Sequence, residues 1–205
     1  MSSPVPENMV RMRVISGRFK GVALTTPKSG TRPTTDRTKE AIFSHLDSWG
    51  VLDDARVLDL FAGTGALGVE ALSRGARELV AVEANGPAAS LIAVTLTALK
   101  RHRAWDPGMN ARVIRAKAEK YASVTAPQPF DVVFIDPPYA FATEACDRLL
   151  VDLVQSGAAG DRTLIVLERS ARSDDPTPPA GWSVSEQRDY GETAVFYIEF
   201  NEDAG

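Results

Sequence analysis

From Arg56 onward the sequence alternates between short β-branched runs and stretches of helical period. Val57-Leu58-Asp59-Leu60, Glu78–Glu83, Arg112-Val113-Ile114, Phe130–Asp136 and Thr163–Glu168 read as buried strands. Leu67–Leu72, Pro87–Lys100 and Ala142–Val154 between them read as helices. Such alternation leaves few folds open. Successive strands joined through helices run parallel, and the helices must cover both faces of one sheet. Only the last two strands escape the rule. Trp182–Arg188 and Thr193–Phe200 meet around Tyr190-Gly191-Glu192, a turn too short for a crossover, so they form an antiparallel hairpin. The expected fold class is therefore α/β, a Rossmann-like, mostly parallel sheet with an antiparallel C-terminal hairpin.

The segment before Arg56 has a different pattern. Arg11–Thr26 reads as a hairpin turning at Gly17-Arg18-Phe19-Lys20-Gly21, and Pro27–Pro33 reads as loop. Thr34, Thr35 or Asp36 then caps a helix that carries Ile42, Phe43, Leu46 and Trp49 on one face. The division this suggests is an N-terminal hairpin extension over 1–30 and the main domain over 31–205. Ser173–Pro179 reads as an exposed loop.

Charge is divided unevenly along the 205 residues. The chain as a whole is acidic, at −4, yet residues 1–50 carry +4 and the rest −8. A basic terminal segment on an acidic body can hold phosphates locally. Arg11, Arg13, Arg18 and Lys20 are the first candidates for contact with a nucleic-acid backbone. Cys146 is the one cysteine, which excludes a disulfide framework and a multi-cysteine metal site. His45 and His102 lack metal-ligand spacing and read as helix-surface residues, so no metal is expected. With no apolar run long enough for a membrane and no signal-like start, the expectation is a cytoplasmic protein that makes no membrane contact.

Two loops carry chemistry. Asp59-Leu60-Phe61-Ala62-Gly63-Thr64-Gly65 follows the first parallel strand, where open α/β sheets bind ligands. Gly63, Gly65 and Gly68 also fit a G-x-G-x-x-G spacing, so a dinucleotide site competes. Glu83 ends the next strand and suits the paired hydroxyls of a ribose, which both cofactor classes carry. Asp59 discriminates better. An acid before the glycines would repel a pyrophosphate and suit the cationic methionine end of S-adenosylmethionine. The plainer alternative is a helix-cap acid with turn glycines.

Asp136-Pro137-Pro138-Tyr139 ends the fourth strand. The prolines stiffen the loop and remove two donors. The Asp136 carboxylate and the Pro137 carbonyl remain as two close acceptors. A ring-borne amine has two N–H bonds and a lone pair delocalised into the ring. Hydrogen bonds to both acceptors hold the nitrogen and favour a pyramidal geometry ready for in-line attack on a sulfonium methyl. Positioning and electrostatics then supply most of the acceleration. Tyr139 offers a face on which an extruded base can stack, a contact worth about 1–3 kcal/mol.

These motifs resemble class I amino-methyltransferases. Arg32-Pro33-Thr34-Thr35-Asp36-Arg37 before a helix, with Val14-Ile15-Ser16-Gly17 upstream and Tyr190-Gly191-Glu192-Thr193 at the end, more narrowly resembles the RsmD type. That family methylates N2 of one guanine in small-subunit (16S) ribosomal RNA. The resemblance runs from about Arg13 to Phe200. It implies a seven-stranded sheet, S-adenosylmethionine as cofactor, and an N-terminal hairpin that helps hold RNA. It also implies that Asp59, Ala62, Gly63, Gly65 and Glu83, with Phe61 and Thr64 of the same loop, line the cofactor site. Asp136, Pro137 and Tyr139 would handle the guanine. Arg32, Thr34 and Arg37 would lie over the entrance. The stretch Arg115-Ala116-Lys117-Ala118-Glu119 departs from relatives that carry Asp or Asn there, so adenine falls either to the backbone at Ala118 or to Glu119. The expected substrate is RNA within an assembled or partly assembled small subunit, recognised largely by shape, and the expected state is a monomer. The rivals are adenine-N6 methylation of DNA or RNA, methylation of a protein glutamine, a dehydrogenase using NAD, and a non-catalytic RNA-binding module.

Overall fold

In a computed structural model the described residues are 12–25 and 36–202. The elements are α1 (Asp36–Trp49), β1 (Arg56–Asp59), α2 (Ala66–Ser73), β2 (Glu78–Glu83), α3 (Gly86–Lys100), β3 (Asn110–Arg115), α4 (Ala118–Ala122), β4 (Phe130–Ile135), α5 (Thr143–Gln155), β5 (Ala159–Ser170), β6 (Trp182–Tyr190) and β7 (Thr193–Phe200). One seven-stranded sheet has the order β3-β2-β1-β4-β5-β7-β6. β1 to β5 are parallel neighbours, and β7 is antiparallel to both β5 and β6. The expected α/β class, the strand count and the closing hairpin all hold.

Alternation along the strands divides the core in two. On one face Val57, Ala81, Val132, Phe134, Val166 and Val195 pack with α1, α2, α3 and the N-terminal segment. On the other, Leu58, Val80, Val133, Ile135, Ile165 and Leu167 pack with α4 and α5. The amphipathic pattern of α5 buries Cys146, Leu149, Leu150 and Leu153 along one stripe. Asn85 opens α3 by accepting from the Ala88 N–H at 2.9 Å, with Pro87 in the first turn. β1, β3 and β5 start earlier than expected from sequence, and the short α4 was missed altogether.

The N-terminal segment is less separate from the body than its sequence suggests. Among residues 12–25 the hairpin reduces to one antiparallel bridge, Arg13 to Ala23, with backbone bonds such as Val14 N–H to Val22 carbonyl at 3.0 Å. Met12, Val14, Phe19 and Leu24 are buried in the same core as α1 to α3. Glu70 of α2 accepts from the N–H groups of Ile15 and Ser16 at 2.9 and 3.0 Å. Ser73 accepts at Oγ from the Phe19 N–H, and its carbonyl accepts from Arg18. At Gly17 a Cβ would sit 1.9 Å from the Ser73 carbonyl oxygen, so only glycine permits this approach.

Two smaller expectations fail. His45 is not a free surface residue: Nε2 lies 2.9 Å from Glu186 Oε2, and the ring packs against Trp49 and Tyr197. His102 lies just beyond α3 and packs edge-on to buried Phe19 at 5.5 Å.

Candidate active site

Strand order reverses between β1 and β4, since β2 flanks β1 on one side and β4 on the other. Loops leaving such neighbours diverge to opposite faces and open a crevice at the carboxyl ends of the strands. The structure places the two sequence motifs on either side of that crevice. Asp59 closes β1, paired with Phe134 in register, and Asp136 follows the last residue of β4.

The glycine loop is held from below. Asp59 is buried, and its Oδ2 accepts from the Gly68 N–H at 3.0 Å. A Cβ at Gly68 would come 2.5 Å from Leu79 Cδ1 and 3.2 Å from that carboxylate. The third glycine therefore serves close packing inside α2. Gly63 and Gly65 both have positive φ, at 55° and 77°. Glu83 Oε2 accepts from the Gly63 N–H at 2.7 Å, and Oε1 from the Asn85 N–H at 2.7 Å. Those bonds fix the Glu83 side chain while each oxygen keeps a second lone pair for a ligand hydroxyl. Ala62 is buried, Thr64 half-buried, and the half-buried Phe61 ring meets Phe141 at 5.2 Å.

Asp59 does more than cap a helix. Its Oδ1 is buried with no hydrogen-bond partner. Burial raises its pKa to about 7, the Gly68 N–H pulls the other way, and Asp136 and Glu83 add to the rise. Unpaired buried oxygens are costly and uncommon. This one suits a positive donor.

On the other side, Pro137 is buried and Tyr139 is 69% exposed. The Phe141 N–H donates to the Pro138 carbonyl at 2.8 Å, closing a tight turn. The tyrosine is thus presented on a rigid loop rather than packed away. Ala118 is buried at the start of α4, while Glu119 is exposed in its first turn.

Among the described basic residues, Arg18 and Lys20 lie away from this crevice. Arg11, Arg32 and Thr34 lie outside the described residues. Arg37 is exposed in the first turn of α1. Arg18 and Lys20 lie beside Ser73, the last residue of α2, whereas the glycine loop opens that helix. Eight helical residues separate the two ends, about 12 Å. Phe19 meets His102 and stacks with Trp105 at 6.1 Å, so Arg18 and Lys20 flank a residue packed against the stretch of chain that carries exposed Lys100, Arg101 and Arg103. Arg13 is exposed and donates to the Gly21 carbonyl.

Sequence reading missed Glu168. It lies near the end of β5, 4% exposed, with Oε1 lacking a hydrogen-bond partner. It follows the apolar run Leu164–Leu167, so it read as the terminus of a buried strand.

The sheet order, the reversed antiparallel end and the two crevice loops define a class I methyltransferase fold. A family model described as Conserved hypothetical protein 95 matches residues 12–199, and the chain belongs to that family, which includes the RsmD type. The chain is 34% identical over 195 residues to an Escherichia coli (strain K12) protein named "Ribosomal RNA small subunit methyltransferase D", covering 95% of this chain and 92% of that one. A Haemophilus influenzae protein of the same name is 31% identical over 91% of this chain and 92% of its own. Among solved structures, that of yhhF from Escherichia coli superposes with a TM-score of 0.81 at 33% identity, covering 94% of this chain and 99% of the other.

Proposed function

We propose that the chain transfers the methyl group of S-adenosylmethionine to the exocyclic N2 of a guanine in small-subunit (16S) ribosomal RNA. The observation that carries this reading is the crevice itself. One motif holds an unpartnered buried Asp59 oxygen, and the other carries an exposed Tyr139 close in sequence to Asp136 and Pro137. The relatives named for ribosomal RNA supply the substrate class. The guanine N2 rests on the RsmD-type motifs.

The residues present fit the cofactor. The free Asp59 oxygen accepts from the ammonium of its methionine end. Glu83, held by Gly63 and Asn85, accepts from the ribose hydroxyls. Ala62, Gly63, Thr64 and Gly65 leave room for close backbone approach, Phe61 walls the site, and Ala118 borders the adenine. When bound, the cofactor supplies an electrophilic methyl on a sulfonium. The chain supplies position. Asp136 and the Pro137 carbonyl accept the two N–H bonds of the target amine, and Tyr139 stacks on the base. Asp136 receives the proton that the nitrogen sheds.

Arg18 and Lys20, extended by Lys100, Arg101 and Arg103, give a backbone contact for RNA away from the crevice. Arg11, Arg13, Arg32, Thr34 and Arg37 are further candidates for RNA contact, of which Arg13 and Arg37 are exposed. A contact surface this long suits folded RNA in an assembled or partly assembled small subunit, acted on by a cytoplasmic monomer. Among the described residues no helix is long and apolar enough to cross a membrane.

The test is methyl transfer from labelled S-adenosylmethionine to total RNA, DNA and small subunits in parallel, followed by nucleoside analysis. Label in N2-methylguanosine of small-subunit RNA is expected. Label in N6-methyladenosine, or in DNA, would overturn the assignment.

A further inference from the structure

Glu168 has no part in the chemistry just described, yet it is the buried acid most in need of an explanation. Register places it at the site. Ile135, the last residue of β4, pairs with Leu167, so Asp136 and Glu168 each follow a paired residue at the same end of the sheet. Glu168 also pairs with Val195, and Val195 belongs to the core face that includes Phe134, the partner of Asp59. The side chain is thus on the face shared with Asp59, is buried, and keeps one oxygen without a partner. Its ionisation is sensitive to both acids. Burial raises its pKa well above the ordinary carboxylate value, and Asp136 and then Asp59 push the same way.

The nearby cations are committed elsewhere. Lys39 of α1 lies 3.7 Å from Glu70. Arg188 of β6, opposite Val195, pairs with Glu186, and Arg169 donates to the Phe141 carbonyl and to Thr143. Arg37 and Asp36 are exposed at the start of α1, Tyr190 and Tyr197 add uncharged hydroxyls, and Glu83 is a further acid at the end of β2. Among the described residues no cation is paired with Glu168, which leaves its free oxygen open to a positively charged ligand.

We propose that Glu168 is a positioning residue that matches the sulfonium charge of S-adenosylmethionine, favouring the methyl donor over the uncharged thioether product. The inference rests on the methyltransferase reading. The balance of the transfer explains its use. The amine lone pair forms the nitrogen–methyl bond as the methyl–sulfur bond breaks, and sulfur keeps that electron pair. The nitrogen then loses one proton, which passes to Asp136 and on to Glu168. The crevice loses the sulfonium charge and one carboxylate charge together, so its net charge is unchanged. The product leaves a site in which Glu168 is protonated again.

The experiment is calorimetric titration of the full chain with S-adenosylmethionine and with S-adenosylhomocysteine, in two buffers of different ionisation enthalpy. The wild-type protein should release more protons on binding the sulfonium than on binding the thioether. Glu168→Gln, a neutral isostere, should weaken S-adenosylmethionine about tenfold with little change for the thioether, and should abolish the difference in protons. An equal effect on both ligands, or a wild type with no proton difference, overturns the proposal. The wild-type measurement stands even if the variant does not fold. Failure to bind either ligand would overturn the methyltransferase reading itself, whereas binding without discrimination overturns only the role of Glu168.

Discussion

Two buried clusters of charge lie on the same face of the sheet, and they are completed in opposite ways. Around Glu70 every charge is answered. Its carboxylate takes the Ile15 and Ser16 N–H groups, lies 3.7 Å from Lys39, and accepts from Arg74 Nε at 2.9 Å. Arg74 reaches on to Glu40 and Asp47 at 2.8 and 2.7 Å. Around Asp59, one buried oxygen of Asp59 and one of Glu168 have no hydrogen-bond partner, and Asp136 pushes the pKa of both acids upward. Pairing within the chain is architecture: the first cluster fastens residues 12–25 to α2. Buried acid oxygens left without a partner lower a fold's stability, and their clustering in a cleft marks a candidate ligand site. The contrast separates a structural ion network from a binding site without reference to any motif.

The sharpest way to break the comparison is at Asp136. Asp136→Ala should cut methyl transfer by about 10³-fold or more while leaving S-adenosylmethionine affinity within a few-fold, because the residue acts on the amine. Single-turnover assays with parallel calorimetry check this, and a near-normal rate would remove Asp136 from the chemistry.

The paired cluster should respond in stability. Glu70→Ala strands Lys39 and frees two backbone N–H groups, so denaturant unfolding should show a loss of about 3–5 kcal/mol. Hydrogen exchange of the Ile15 and Ser16 amides should rise in step. A loss near zero would mean that the network does not anchor this segment.

The unpaired cluster should respond with the opposite sign. The folded pKa of Asp59, about 7, lies above the ordinary aspartate value of 3.8. The native state therefore binds the extra proton between those values, and the ligand-free protein gains stability as pH falls through 7. At pH 8 the ionised carboxylate costs on the order of 4 kcal/mol. Asp59→Asn should recover part of that in ligand-free melts at pH 8 and lose cofactor binding. A destabilised Asn variant that still binds would refute the assignment.

The smallest effect is expected at the remote basic surface. Reversing Arg101 or Arg103 should weaken RNA binding a few-fold and reduce the slope of log affinity against log salt by about one per contact, with cofactor affinity unchanged. Identical slopes would confine RNA to the crevice side.

Much of this was legible in the sequence because it is local. Period and β-branching gave the strand–helix alternation, and the Asp59 and Asp136 loops identified themselves through glycine and proline spacing. The closing hairpin was legible from its turn. What escaped depends on distant neighbours. Glu168 became visible only when β5 was set beside β4. Glu70 reads as an ordinary acid inside an apolar helix until residues 15 and 16 fold onto it. His45 read as exposed because its partner, Glu186, lies 141 residues away. The basic run was legible as charge, but its placement was not. Arg18 and Lys20 go to the far end of α2 because Gly17 must meet Ser73.

The central claim is that the acids around Asp59 are incomplete without a cationic ligand. Carbon-detected NMR of the Asp59 carboxyl across about pH 4–9, with and without S-adenosylmethionine, tests it most directly. The account predicts a midpoint near 7 in the free protein, falling into the ordinary carboxylate range when the ligand is bound. A free midpoint already near 4, or one that the ligand leaves unmoved, would contradict it.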